Sequence, residues 1–174
     1  MAVVNVKSTA VTQGDAAQQS NISQRISGGR LRERVGTAEA ANGDSIGSTY
    51  RLARVNSGDR ISRVLLSSDA ITSGAGDIGI YDIASVNAGA VVDADFFGSA
   101  VSIASAQVNT DVTHEADAAD AGAGFGLADV EKPLWQALGL TSDPGKWYDV
   151  AVTLTAAAGA AGTISLKVQY VDGN

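Results

Sequence analysis

The stretch that decides the fold runs from Asp149 to Val171. It reads Asp149-Val150-Ala151-Val152-Thr153-Leu154, then Ala156 to Gly162, then Ile164-Ser165-Leu166-Lys167-Val168-Gln169-Tyr170-Val171. Val150, Val152 and Leu154 alternate with Asp149, Ala151 and Thr153, and Ile164, Leu166, Val168 and Tyr170 alternate with Ser165, Lys167, Gln169 and Val171. A period of two is the signature of a strand with one face in a core. The joining residues are all Ala or Gly, which predicts a hairpin with a flexible tip.

The same period recurs upstream. Leu31, Glu33 and Val35 point one way, and Arg30, Arg32 and Arg34 the other. Thr49 to Val55, Ile61 to Ser67 and Asp77 to Ile83 follow, separated by the turn-forming runs Asn56-Ser57-Gly58-Asp59 and Ser73-Gly74-Ala75-Gly76. Ala90 to Val92 and Ala100 to Ala104 read as shorter strands. One helix is expected over Val130 to Leu138, capped by Asp129, with Pro133 in its first turn and Val130, Leu134 and Leu138 as its apolar stripe beside Trp135. Ala116 to Ala128, rich in Ala, Gly and Asp, reads as a surface loop around Phe125. About eight short strands and one short helix predict an all-β sandwich, jelly-roll-like, with a closed barrel as the alternative.

Residues 1–29 read as an extended N-terminal arm and 30–174 as the sandwich domain. Thr9 to Gly29 is too polar to bury a core of its own. A short strand is expected at Val3 to Lys7, and Gly28-Gly29 makes a joint. Asn5 and Lys7 interrupt any apolar signal segment, so Sec-type export is not expected.

Composition narrows the function classes. The chain has 174 residues, a net charge of −7, no cysteine, 20 Gly and 30 Ala. Thiolate metal sites and disulfides are therefore excluded, and no apolar run approaches the ~20 residues of a membrane helix. With nine aromatic residues and 38 Leu, Ile and Val, the core is expected to be thin and to lean on subunit contacts. Charge is unevenly spread. Residues 1–66 carry nine basic against five acidic side chains, and residues 67–174 carry three against fourteen. All eight arginines lie between Arg25 and Arg63. The low pI of about 4.5 and the scarcity of interleaved aromatics disfavour nucleic acid. Guanidinium forks suit carboxylates, so Arg30, Arg32 and Arg34 are candidates for docking on an acidic protein surface.

Catalytic signals are weak. His114 is the sole histidine and lies beside Glu115 and Asp117, but no Gly-x-Ser-x-Gly elbow accompanies it. Asp93-Ala94-Asp95, Asp117 and Asp120 do not follow the ligand series of a calcium loop. No phosphate-binding glycine motif is present. No enzymatic activity, cofactor or metal is expected.

Several segments together resemble a known group of proteins. These are Met1-Ala2-Val3-Val4-Asn5-Val6-Lys7-Ser8, Gly29-Arg30-Leu31-Arg32-Glu33, Gly47-Ser48-Thr49-Tyr50-Arg51-Leu52, Asp77-Ile78-Gly79-Ile80-Tyr81-Asp82 and Asp93-Ala94-Asp95-Phe96-Phe97-Gly98-Ser99-Ala100. The Leu134-Trp135 helix and the closing Lys167-Val168-Gln169-Tyr170-Val171 strand complete the set. In texture and order they resemble the head decoration, or cement, proteins of tailed bacteriophages. That resemblance implies a non-enzymatic virion protein, β-rich and commonly trimeric, assembled in the host cytoplasm. It would bind the capsid exterior and clamp neighbouring major capsid proteins, with no membrane partner. The arm (Val3, Val4, Val6, Ile22, Ile26) and Arg30, Arg32 and Arg34 would make the lattice contacts. The alternative is a tail or fibre domain binding host carbohydrate, for which Trp135, Trp147, Tyr148 and Phe125 are the candidate stacking residues.

Overall fold

The computed structural model describes residues 4–17, 23–120 and 124–172. Eight strands form the body: β1 (Leu31–Ala40), β2 (Thr49–Asn56), β3 (Arg60–Ser68), β4 (Ala75–Asp82), β5 (Val91–Ser102), β6 (Gln107–Asp111), β7 (Trp147–Ala156) and β8 (Gly162–Val171). They make two four-stranded antiparallel sheets, in the orders β1-β8-β3-β6 and β2-β7-β4-β5. The chain is thus an all-β sandwich, and its strands fill the two sheets in a jelly-roll-like interleaved order. It does not close into a single barrel.

The core lies between the sheets. Ile164, Leu166 and Val168 of β8 face Val150, Val152 and Leu154 of β7, and all six are essentially inaccessible. Burying each such side chain contributes about 1.5–3 kcal/mol. Phe96, Phe97 and Phe125 fill one region of the core, with ring centroids 5.0–5.8 Å apart and tilted or edge-on packing.

The expected β7–β8 hairpin does not form. The Ala/Gly segment carries the chain from one sheet to the other, and its tip is tethered rather than flexible. Ala158 is buried, its N–H donates to the Asp44 carbonyl at 2.9 Å, and the Gly159 N–H donates to that of Thr72 at 2.8 Å. The physical reason lies in the two apolar faces. In a hairpin they would lie side by side, whereas here they meet across the core and bury each other.

Other boundaries moved for local reasons. The two short strands expected at 90–92 and 100–104 merge into β5, whose register with β4 shifts three times and so blurs the alternation. β6 was not foreseen, since its one large apolar residue, Val108, is 80% exposed. The expected nine-residue helix shrinks to α3 (Leu134–Ala137), because Pro133 is extended at φ −65°, ψ 157° and starts the helix instead of sitting inside it. Asp129 ends a 3-10 turn, Leu127–Asp129, where its carboxylate accepts from the Gly126 N–H at 3.0 Å. Leu134 alone of the expected stripe is fully buried, and Val130 is 39% exposed. Two further short helices are α1 (Thr9–Gly14) and α2 (Glu115–Asp120).

Candidate functional site

The arm leads into one end of the first sheet. In its outer part Ser8 caps α1 by accepting from the Val11 N–H at 3.3 Å, and Lys7 pairs with Asp15 at 2.7 Å. None of α1 is buried, and Val4 and Val6 are 75% and 85% exposed. Val4 to Lys7 is not a strand; Val3 and Ile22 fall outside the described residues. The inner part is tied down. Ile26 is half-buried, and the Arg60 Nε donates to the Arg25 carbonyl at 2.5 Å. Gly28 adopts φ +80°, and a β-carbon on Gly29 would run into the Gln24 carbonyl and Val171. The Gly-Gly pair is therefore a close-packed joint, which only residues without a side chain can make.

The three arginines expected on one face have three different surroundings. Arg34 turns inward at the open corner of the sandwich. Its guanidinium lies 4.7 Å from the centre of the Trp147 ring and 5.1 Å from that of Tyr170. Its Nε donates to the Tyr170 hydroxyl at 2.8 Å and its Nη1 to the Arg54 carbonyl at 2.6 Å. Arg32 stays exposed and pairs with Asp172 at 3.1 Å. Arg30 precedes β1, is exposed, and has no ionic or hydrogen-bond partner among the described residues. Arg30 and Arg32 line a cleft of about 390 Å³ with Gln24, Gly28, Gly29 and Asp172. Asp172 offsets one of its two positive charges, so the cleft is suited to a carboxylate.

The remaining arginines are taken up within the molecule. Arg51 and Arg54, three residues apart, would face opposite ways in a regular strand. A bulge between Arg51 and Ala53 brings both to Asp149, at 3.3 and 2.7 Å, and Asp149 is only 5% exposed. Arg51 also donates to the carbonyls of Asp82, at the end of β4, and of Gly89, in the segment between β4 and β5. Arg63 pairs with Asp111 at 3.1 Å. Four of the eight arginines thus pair with acidic residues of the second half of the chain.

A chain in the solved structure "Cyanophage Pam1 capsid asymmetric unit" has this fold. The two superpose with a TM-score of 0.50 at 13% sequence identity, over 98% of this chain and 99% of that one. No protein-family model and no curated protein sequence matches the chain.

The other candidates are engaged locally. His114 Nδ1 lies 2.8 Å from the Phe125 carbonyl oxygen, and its ring stacks on Phe125 at 5.3 Å. Phe125 and Tyr148 are buried, Trp135 is half-buried, and Trp147 is 39% exposed with one face given to Arg34. Phe125 thus corrects the surface-loop expectation: it anchors that segment in the core. Burial, followed by a hydrogen bond and repulsion from Asp95, raises Asp93 above the usual carboxylate range. Among the described residues no three His, Asp or Glu converge as a metal site. The side chains of Asp117 and Asp120 are outside that set. Sequence reading missed the Trp147–Arg34–Tyr170 stack, since it joins β1, β7 and β8 across 136 residues. It also missed Asp149 as the hub for two arginines. The available signal was a lone acid between Tyr148 and Val150 in an otherwise uncharged strand.

Proposed function

We propose that the protein is a structural component of a phage virion that binds the outside of the capsid and stabilises contacts between major capsid proteins. The observation that carries this reading is the end-to-end likeness to a chain of a phage capsid asymmetric unit, in which both chains are covered almost completely. The likeness thus runs the length of both chains, and it agrees with the segment order that resembles head decoration proteins.

The surface features support a binding role. The outer arm exposes Val4, Val6 and Val11 while burying none of α1, as expected of a segment that acquires its partner on assembly. Arg30 and Arg32 stand at the joint where the arm leaves the body. In this reading the arm reaches a neighbouring capsid protein and the arginine cleft takes a carboxylate from the lattice. Mixing purified protein with undecorated capsids tests it: saturable, salt-sensitive binding is expected, and no binding at any concentration overturns it.

A further inference from the structure

The loop between β1 and β2 carries Asn42-Gly43, and no other asparagine of the chain precedes a glycine. Asn42 is exposed, and its side chain has no hydrogen-bond partner among the described residues. An asparagine so placed can react with its own backbone. The Gly43 nitrogen gives its proton to solvent and attacks the Asn42 side-chain carbon Cγ. As the new N–Cγ bond forms, the Cγ–Nδ2 bond breaks, and Nδ2 takes a proton and leaves as ammonia. Water then opens the resulting cyclic imide at either carbonyl, adding hydroxyl to carbon and a proton to nitrogen, to give aspartate or its β-linked isomer. Glycine favours the attack, since no β-carbon obstructs the approach.

The first step needs the Gly43 nitrogen free, and the fold holds it. Its N–H donates to the Ala158 carbonyl at 2.8 Å, and the Ala158 N–H returns a bond to the Asp44 carbonyl at 2.9 Å. Those two bonds fasten the loop to the crossover between β7 and β8, where Ala158 is buried. The turn is fixed from its other side as well. The Asp44 N–H donates to the Ala41 carbonyl at 3.1 Å, and Asp44 Oδ2 accepts from the Ala41 N–H at 2.8 Å and from the Tyr50 hydroxyl at 2.6 Å. The leaving amide thus stands in solvent while the nucleophile is locked. Freeing it requires the crossover to lift, a local opening set by local stability. The crossover is held in turn by the Gly159 N–H on the Thr72 carbonyl, and a β-carbon on Gly159 would lie 2.7 Å from that oxygen.

We propose that Asn42 is a deamidation site gated by the Ala158 carbonyl: it stays intact while the β7–β8 crossover is docked and converts when the crossover lifts. Conversion runs one way. Either product puts a second carboxylate two residues from Asp44, and the β-linked one also lengthens the backbone inside the Ala41–Asp44 turn, so the crossover returns to an altered loop. The inference stands apart from the capsid reading, because it concerns the chemistry of the chain alone.

The test holds the full-length protein at mildly alkaline pH and follows Asn42 by peptide mass spectrometry. Conversion is expected to be at least ~10-fold slower in the native protein than in the same protein unfolded in urea. Gly159→Ala, which pushes the crossover off Thr72 without touching the loop, should speed native conversion at least ~3-fold and leave the rate in urea unchanged. If its thermal melt shows that this variant does not fold, Tyr50→Phe decides instead. It removes only the hydroxyl on Asp44, and the same acceleration is expected. Native conversion as fast as in urea overturns the gate, and so does an unchanged native rate in the deciding variant.

Discussion

Arg34 is held by two aromatic rings, a tyrosine hydroxyl and a backbone carbonyl, so its guanidinium serves the fold more than any partner. Arg34→Ala should cost about 1–2 kcal/mol, lowering Tm by roughly 3–6 °C, and Arg34→Lys should cost less, because it keeps the charge but loses the planar fork. Thermal melts of the two variants check this. Asp93 makes the opposite case. Its carboxyl is raised by burial and by Asp95, so the native state holds the proton more tightly than the unfolded chain, whose aspartates keep the ordinary value of 3.8. Stability therefore falls as pH rises from that value through the raised one, and it stays reduced above. Asp93→Asn removes the loss. It should raise Tm at neutral pH and leave it unchanged near pH 3, so an equal shift at both pH values would contradict the assigned cause.

Among elements, β1 shows how backbone spacing decides packing. Gly36 lies against the Leu52 carbonyl, where a β-carbon has no room. Gly36→Ala should force β1 off β2 at a cost of at least ~2 kcal/mol, read as a lower Tm together with faster amide exchange in β1. The core faces of β7 and β8 were legible because every inward residue from Val150 to Leu154 and from Ile164 to Tyr170 is large and apolar. Which sheet each strand joined was not. Alternation reports only the side a residue faces, and a hairpin and a crossover show the same pattern. β5 was illegible for a different reason: its register shifts, between Val91 and Asp93, Asp93 and Gly98, and Gly98 and Val101, break the period. The arginine face failed at Arg34, since period two placed it correctly beside Arg32 but said nothing of the Trp147 and Tyr170 rings waiting at the corner.

At the scale of the whole molecule, folding brings arginines of the first half of the chain onto acids of the second, at Asp111, Asp149 and Asp172. The accessible surface of 9018 Å² exceeds the roughly 8,000 Å² expected of a compact chain of this mass. An arm that buries none of α1 fits that excess. Removing Met1 to Ala17 should therefore leave Tm within about 1 °C, because the ties of Arg25 and Gly29 to the body remain. The same deletion should abolish or strongly weaken attachment to a lattice. Quantitative binding of the full-length and shortened proteins to undecorated phage capsids tests the central claim most directly. Saturable binding by the full chain, lost or reduced at least ~10-fold in an equally stable shortened chain, is the predicted result. Absence of binding by the full chain would contradict the capsid role, and equal binding by both would contradict the role given to the arm.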